Sequence, residues 1–179
     1  MRLADYRYEE IKATVVQFFE EQDITCVPIS GFEIATKLDI KVIPYSAYSA
    51  NRELLERYSE EGFSINRAGQ WYIYYNDTQP YARINFTIMH EIAHIVLDHK
   101  QESQVAKMEA DFFAKFALAP PVLMHKFNVN DSLEVSEIFG LSQEAAIYAF
   151  EYYQKWLKYS GEFYADYELK LLNMFSYAV

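Results

Sequence analysis

One cysteine, Cys26, stands in the 179 residues. No internal disulfide can form, and so little cysteine suits a reducing, cytoplasmic compartment. Glycine and proline are scarce, with five of each. No linker, repeat or low-complexity tract interrupts the chain, so one domain over 1–179 is expected. No uncharged apolar run approaches the roughly 18 residues of a membrane span. The opening MRLADYRYEE carries acids where a secretion signal needs a basic patch and an apolar stretch. Basic residues are in deficit too: 16 Lys and Arg against 26 Asp and Glu leave a net charge of −10. That balance argues against a surface built to track nucleic-acid phosphates or to lie on an anionic membrane. What the chain does have is apolar and aromatic material: 51% hydrophobic residues, with 16 Tyr and 13 Phe, enough to bury a real core.

Hydrophobic spacing predicts a first helix from Tyr6 to about Gln22, on Ile11, Val15, Phe18 and Phe19. Ser30-Gly31-Phe32-Glu33 reads as a capping box opening a short helix. Ile40 to Tyr45 reads as a strand, at an edge because of Pro44. A charged helix over about 51–60 follows. A hairpin pairs Phe63–Ile65 with Trp71–Tyr75 around the turn at 66–70. Beyond the loop at 76–80 the chain reads as helical over about 85–99, 102–118, 132–139, 142–159 and 163–175. The expected class is α+β, mostly helical, with a small early sheet beside one central helix.

That central segment contains His90-Glu91-x-x-His94. Residues four apart on a helix stand one above the other about 6 Å along the axis, so both imidazoles can reach one metal ion. Glu91 sits about 100° round the helix, placed to hold a water beside the metal rather than to be a ligand. Ile88, Met89, Ile92, Ala93, Ile95, Val96 and Leu97 make the helix apolar nearly all round, hence buried. Two histidines and a glutamate on such a helix are either hydrogen-bonded core residues or metal-associated. Their burial costs several kcal/mol unless compensated, on the order of what a buried polar group forfeits, and a divalent metal compensates all three.

A catalytic zinc site needs a third protein ligand. An extended motif with Gly three residues past the second His and a further His three beyond is absent, since Leu97 and Lys100 occupy those positions. His99 is near but out of register, and Asp98 lies too far up the axis. On the following helix Val105, Glu109, Phe112, Phe113 and Phe116 form an apolar stripe holding one carboxylate. Glu109 there either snorkels or binds something. A short connection between antiparallel helices would set it opposite His94 and complete a His90, His94, Glu109 set.

Arg83-x-x-Phe86-Thr87-x-x-His90-Glu91-x-x-His94, then Glu109-Ala110-Asp111-x-Phe113-Ala114, then Pro120, resembles the ImmA/IrrE family of zinc metallopeptidases. Tyr74-Tyr75-Asn76 and Ile34-Ala35-x-x-Leu38-x-Ile40-x-Val42 are similar to the family's lead-in. The likeness covers a family-like core of about 30–121, with a helical C-terminal part over 122–179. Ala119 stands where the family commonly has Met, and Asp111 where Asn is commoner; neither is a proposed ligand. The resemblance implies a gluzincin-like, Zn2+-dependent endopeptidase. Its substrate would be a helix-turn-helix (XRE-type) transcriptional repressor of a phage or mobile element, so the partner is a DNA-binding protein. Zinc on His90, His94 and Glu109 would activate water and polarise the scissile carbonyl, with Glu91 as general base. His125 and Tyr81 are candidates for a second oxyanion donor as well as for structural or surface roles. Asp111 is either an orienting partner of a ligand or a solvated helix position.

Two segments imitate DNA-binding units, Ile34–Val42 and Leu133–Phe150. No Lys or Arg occurs between Lys126 and Lys155, whereas Asp131, Glu134, Glu137, Glu144 and Glu151 do. Such a face repels phosphate, so direct nucleic-acid binding is not expected. Asp131 and Ser142 read as helix N-caps and Gly140 as a C-cap. The rival function is a metal-binding module that sequesters a repressor without cutting it, and a general base between the histidines tells against it.

Overall fold

A computed structural model describes residues 2–159 and 163–175. The helices are α1 (Asp5–Glu21), α2 (Gly31–Lys37), α3 (Arg52–Tyr58), α4 (Tyr81–Val96) and α5 (Gln104–Leu118), then α6 (Pro121–Lys126), α7 (Ser132–Phe139), α8 (Gln143–Tyr159) and α9 (Asp166–Met174). The strands are β1 (Lys41–Pro44), β2 (Gly62–Arg67) and β3 (Gln70–Tyr75). The class is α+β, mostly helical with a small sheet. Among the described residues no helix is long and apolar enough to cross a membrane. The chain divides into two compact units: one is Ser30–Asp111, and the other joins the residues before Ser30 to those after Asp111.

In the Ser30–Asp111 unit the sheet runs β1-β3-β2, with β1 parallel and β2 antiparallel to the central β3. Pro44 ends an edge strand, where its missing N–H leaves no ladder bond unmade. The hairpin is tighter than its sequence suggests. Arg67 pairs with Gln70, leaving Ala68 and Gly69 as a two-residue turn with φ of 52° and 89°, the left-handed pair that matches strand twist. Asn66 supports it by accepting the Gly69 N–H at 3.0 Å. Phe63 and Tyr74 stack across the two strands with ring centroids 5.2 Å apart, a cross-strand aromatic pair on one face.

Helix α4 packs on β2, β3 and α2. It begins at Tyr81 rather than near 85, because Pro80 supplies the first carbonyl, accepting from Arg83 and Ile84. Ile88, Met89, Ile92 and Ala93 are fully buried, as the all-round apolar pattern requires, while Ile95 to Leu97 are half-buried. At α2 the Ser30 hydroxyl accepts from the Glu33 N–H at 3.3 Å, the cap expected there. The Gly31 N–H donates to the buried Asn85 side chain at 2.6 Å. A Cβ on Gly31 would fall 2.9 Å from Ile88 Cγ2, so glycine is what lets α2 approach α4 this closely.

In the other unit α1 meets the part of α5 from Phe112 onward through aromatic rings. Tyr8 lies edge-on to Phe112 at 4.6 Å and Phe18 tilts against Phe113 at 6.1 Å. Val105, expected on the same buried stripe, is 46% exposed, because burial on α5 passes through Ala106, Glu109, Ala110 and Phe113. The caps read from sequence stand: Asp131 accepts from Leu133 and Glu134, Ser142 from Ala145, and Gly140 takes φ 66°. The short α6 has no counterpart among the expected helices; Pro121 at its first position suits a helix start.

Candidate metal centre

His90, Glu91 and His94 lie in the C-terminal half of α4, which is held by the sheet on one side and α2 on the other. The two Nε2 atoms are 3.1 Å apart. Two ligands of a tetrahedral zinc with bonds of about 2.0–2.1 Å stand about 3.3 Å apart, so this pair already has ligand spacing. His90 is oriented from behind: its Nδ1 lies 2.9 Å from the Asp111 carboxylate, whose side chain is 47% exposed. Asp111 is therefore partly solvated while it meets the His90 ring at Nδ1, and His90 Nε2 faces His94.

Glu109 is buried, but its carboxylate meets His99, at 2.9 Å from Nε2. His99 in turn places Nδ1 2.9 Å from His94 Nδ1. Among the described residues no three His, Cys, Asp or Glu side chains stand together as a ready cage: two of the three expected ligands converge, and the third is reached through His99.

His99 is out of helical register because it is outside the helix. Helix α4 stops at Val96 and Asp98 turns left-handed, φ 54°. The Asp98 N–H then donates to Ile95 and the His99 N–H to His94, the paired bonds of a Schellman ending. That turn folds His99 back onto His94. The sequence signal was a short polar residue followed by His immediately after the apolar run.

Asp111, His90, His94, His99 and Glu109 thus make a continuous row of four contacts. Each contact joins two potential acceptors and needs one proton between them. A ring nitrogen that carries no proton offers a lone pair, to a hydrogen-bond donor or to a metal. Burial, reinforced by His90 and His99, holds the His94 pKa down to about 4, which keeps a nitrogen lone pair available near neutrality. His90 and His94 would hold a divalent cation through imidazole nitrogen, a donor that suits zinc. By donor chemistry and spacing, this residue set fits a metal.

Glu91 is 9% exposed and accepts a hydrogen bond from the Ser64 hydroxyl of β2 at 2.6 Å. Burial raises its pKa above the usual glutamate range, and the Ser64 bond opposes that rise. Ser64 was not singled out by the sequence, because nothing local marks one serine on an alternating strand as facing the helix.

The two candidate oxyanion donors belong to different units. Tyr81, on the first turn of α4, is 60% exposed and stacks on Phe32. His125 belongs to the other unit, with its Nδ1 3.4 Å from the Tyr153 hydroxyl and its ring beside Trp156 and Tyr164. A family model, Peptidase M78, described as the IrrE N-terminal-like domain, matches residues 35–151. No curated protein matches the chain.

Proposed function

We propose, from the premise that this chain belongs to the Peptidase M78 family of IrrE N-terminal-like domains, that its peptidase activity is that of a zinc-dependent endopeptidase. The observation that carries the reading is the pair of imidazole nitrogens of His90 and His94 on α4, 3.1 Å apart, with Asp111 against His90 and Glu109 reached through His99. His90 and His94 would hold the metal, with Glu109 as the third ligand. Imidazole and carboxylate donors with no thiolate suit zinc. When bound, the metal supplies Lewis-acid polarisation of the scissile carbonyl and eases deprotonation of the attacking water.

The remaining work falls to this chain. Glu91 takes the proton of the attacking water and passes it to the leaving amine. Its burial gives it the raised proton affinity that both transfers need, while Ser64 fixes the carboxylate and keeps it ionisable. Asp111 orients His90. A Ser64→Ala substitution removes the bond that favours ionised Glu91. The acid limb of kcat/KM then moves to higher pH, with the rate above it little changed. A hydrogen bond to a charged group is worth about 1.5–3 kcal/mol, large enough to read in a pH–rate profile. An unmoved acid limb excludes Ser64 from this role.

The substrate we propose is a helix-turn-helix repressor of a phage or mobile element. The motifs that resemble the ImmA/IrrE family support it, and so does charge: a chain with 26 acidic and 16 basic residues complements a basic DNA-binding partner. Incubation with zinc and a helix-turn-helix repressor should give two fragments of defined mass, more slowly at high salt. Loss of repressor function without any fragment would favour sequestration instead.

A further inference from the structure

We propose that His99 is a positioning residue of the metal centre, joining the outer nitrogen of His94 to the carboxylate of Glu109 and so pre-orienting two of the three ligands. The inference rests on the metal reading above and adds a residue to it. Four helices among the described residues end in the same way, with a left-handed Asp or Asn followed by a residue whose N–H reaches back five positions. They are α1 at Asp23, α2 at Asp39, α4 at Asp98 and α6 at Asn128. In this ending the side chain after the left-handed residue meets the one five positions earlier, and that contact is ordinarily hydrophobic. Those two positions hold Ile24 and Phe19, Ile40 and Ala35, and Val129 and Met124 at the other three, all apolar and buried. At α4 alone the same two positions hold His99 and His94, with ring nitrogens 2.9 Å apart.

An apolar pair would end the helix equally well, as it does at the other three, so helix termination does not account for two imidazoles there. What they add is a connection. The side chains of His99 and Glu109 are only 11% and 10% exposed, so the contact between them is largely shielded from water. The His94 ring meets His99 at Nδ1 while its Nε2 faces His90. Outer partners of this kind set the tautomer and direction of a ligating histidine.

The test is zinc affinity of the full chain, by competition with a chromophoric chelator, and the visible absorption of its cobalt(II) form. His99→Ala should weaken zinc binding by about 10–100-fold and alter the cobalt bands. The amide of His99→Asn sits where Nδ1 was and that of His99→Gln where Nε2 was. Each keeps one of the two contacts, so both should fall between wild type and His99→Ala. The amide variants also keep the test decisive if His99→Ala does not fold. Wild-type affinity and an unchanged cobalt spectrum in His99→Ala overturn the inference while the metal reading stands. Failure of the wild-type chain to bind zinc or cobalt overturns both.

Discussion

Glu91→Gln is expected to lower kcat/KM for peptide cleavage by about 10²–10⁴-fold, the usual contribution of a positioned general base, with zinc stoichiometry unchanged. Gln is nearly isosteric with Glu, and its amide oxygen can still accept from the Ser64 hydroxyl, now 2.6 Å from the carboxylate. The local geometry should therefore survive while the proton acceptor is lost. The substitution also removes the ionised form of a side chain that is 9% exposed, which relieves desolvation rather than adding to it. A stability loss is not expected, so a drop in rate cannot be ascribed to unfolding. Parallel measurements of fragment formation and of bound zinc separate the possibilities. Near-wild-type cleavage by Glu91→Gln excludes Glu91 as the base. Equal silencing of a repressor by both proteins, without fragments, identifies a binder instead of a peptidase.

The helix carrying His90, Glu91 and His94 could be read from the chain because two periodicities coincide on it. The metal-ligand spacing is four residues, and the apolar residues around it leave no exposed face on which two histidines and a glutamate would be unremarkable. The caps at Ser30, Asp131, Ser142 and Gly140 were legible for a similar reason: each is a local arrangement whose partner lies within three residues or so. Ser64 and His99 were hidden for opposite reasons. The Ser64–Glu91 bond spans 27 positions and exists only once the sheet lies against α4. His99 is local, but its place depends on Asp98 taking a left-handed backbone, which breaks the helical register used to set His99 aside. Val105 fails on α5 because a stripe drawn by spacing alone does not say where the helix meets its neighbours. The aromatic excess gains a partial account. Phe63 and Tyr74 stack across the sheet, and Tyr8, Phe18, Phe112 and Phe113 join α1 to α5.

His94→Ala is expected to abolish zinc uptake, and with it cleavage and the thermal stabilisation that zinc gives. A ligand that binds only the folded chain adds RT ln(1 + [L]/Kd), about 2.7 kcal/mol at a hundredfold excess over Kd. For a protein of this size each kcal/mol moves Tm by about 2–4 °C, so saturating zinc should raise the wild-type melting temperature by roughly 5–10 °C. Removing His94 deletes a side chain that touches both His90 and His99. The metal loses a ligand, and the two remaining histidines lose their common partner. The metal-free variant will therefore melt lower than metal-free wild type, so the quantity to compare is the zinc-induced shift within each protein. That shift should vanish in His94→Ala and in His90→Ala, yet persist in Glu91→Gln, which keeps every ligand. Magnesium and calcium, which prefer oxygen donors, should not reproduce it in the wild type. A full zinc-induced shift with one bound zinc in His94→Ala would place the metal elsewhere in the chain, and retention of full zinc by Glu109→Ala would do the same for the third ligand alone.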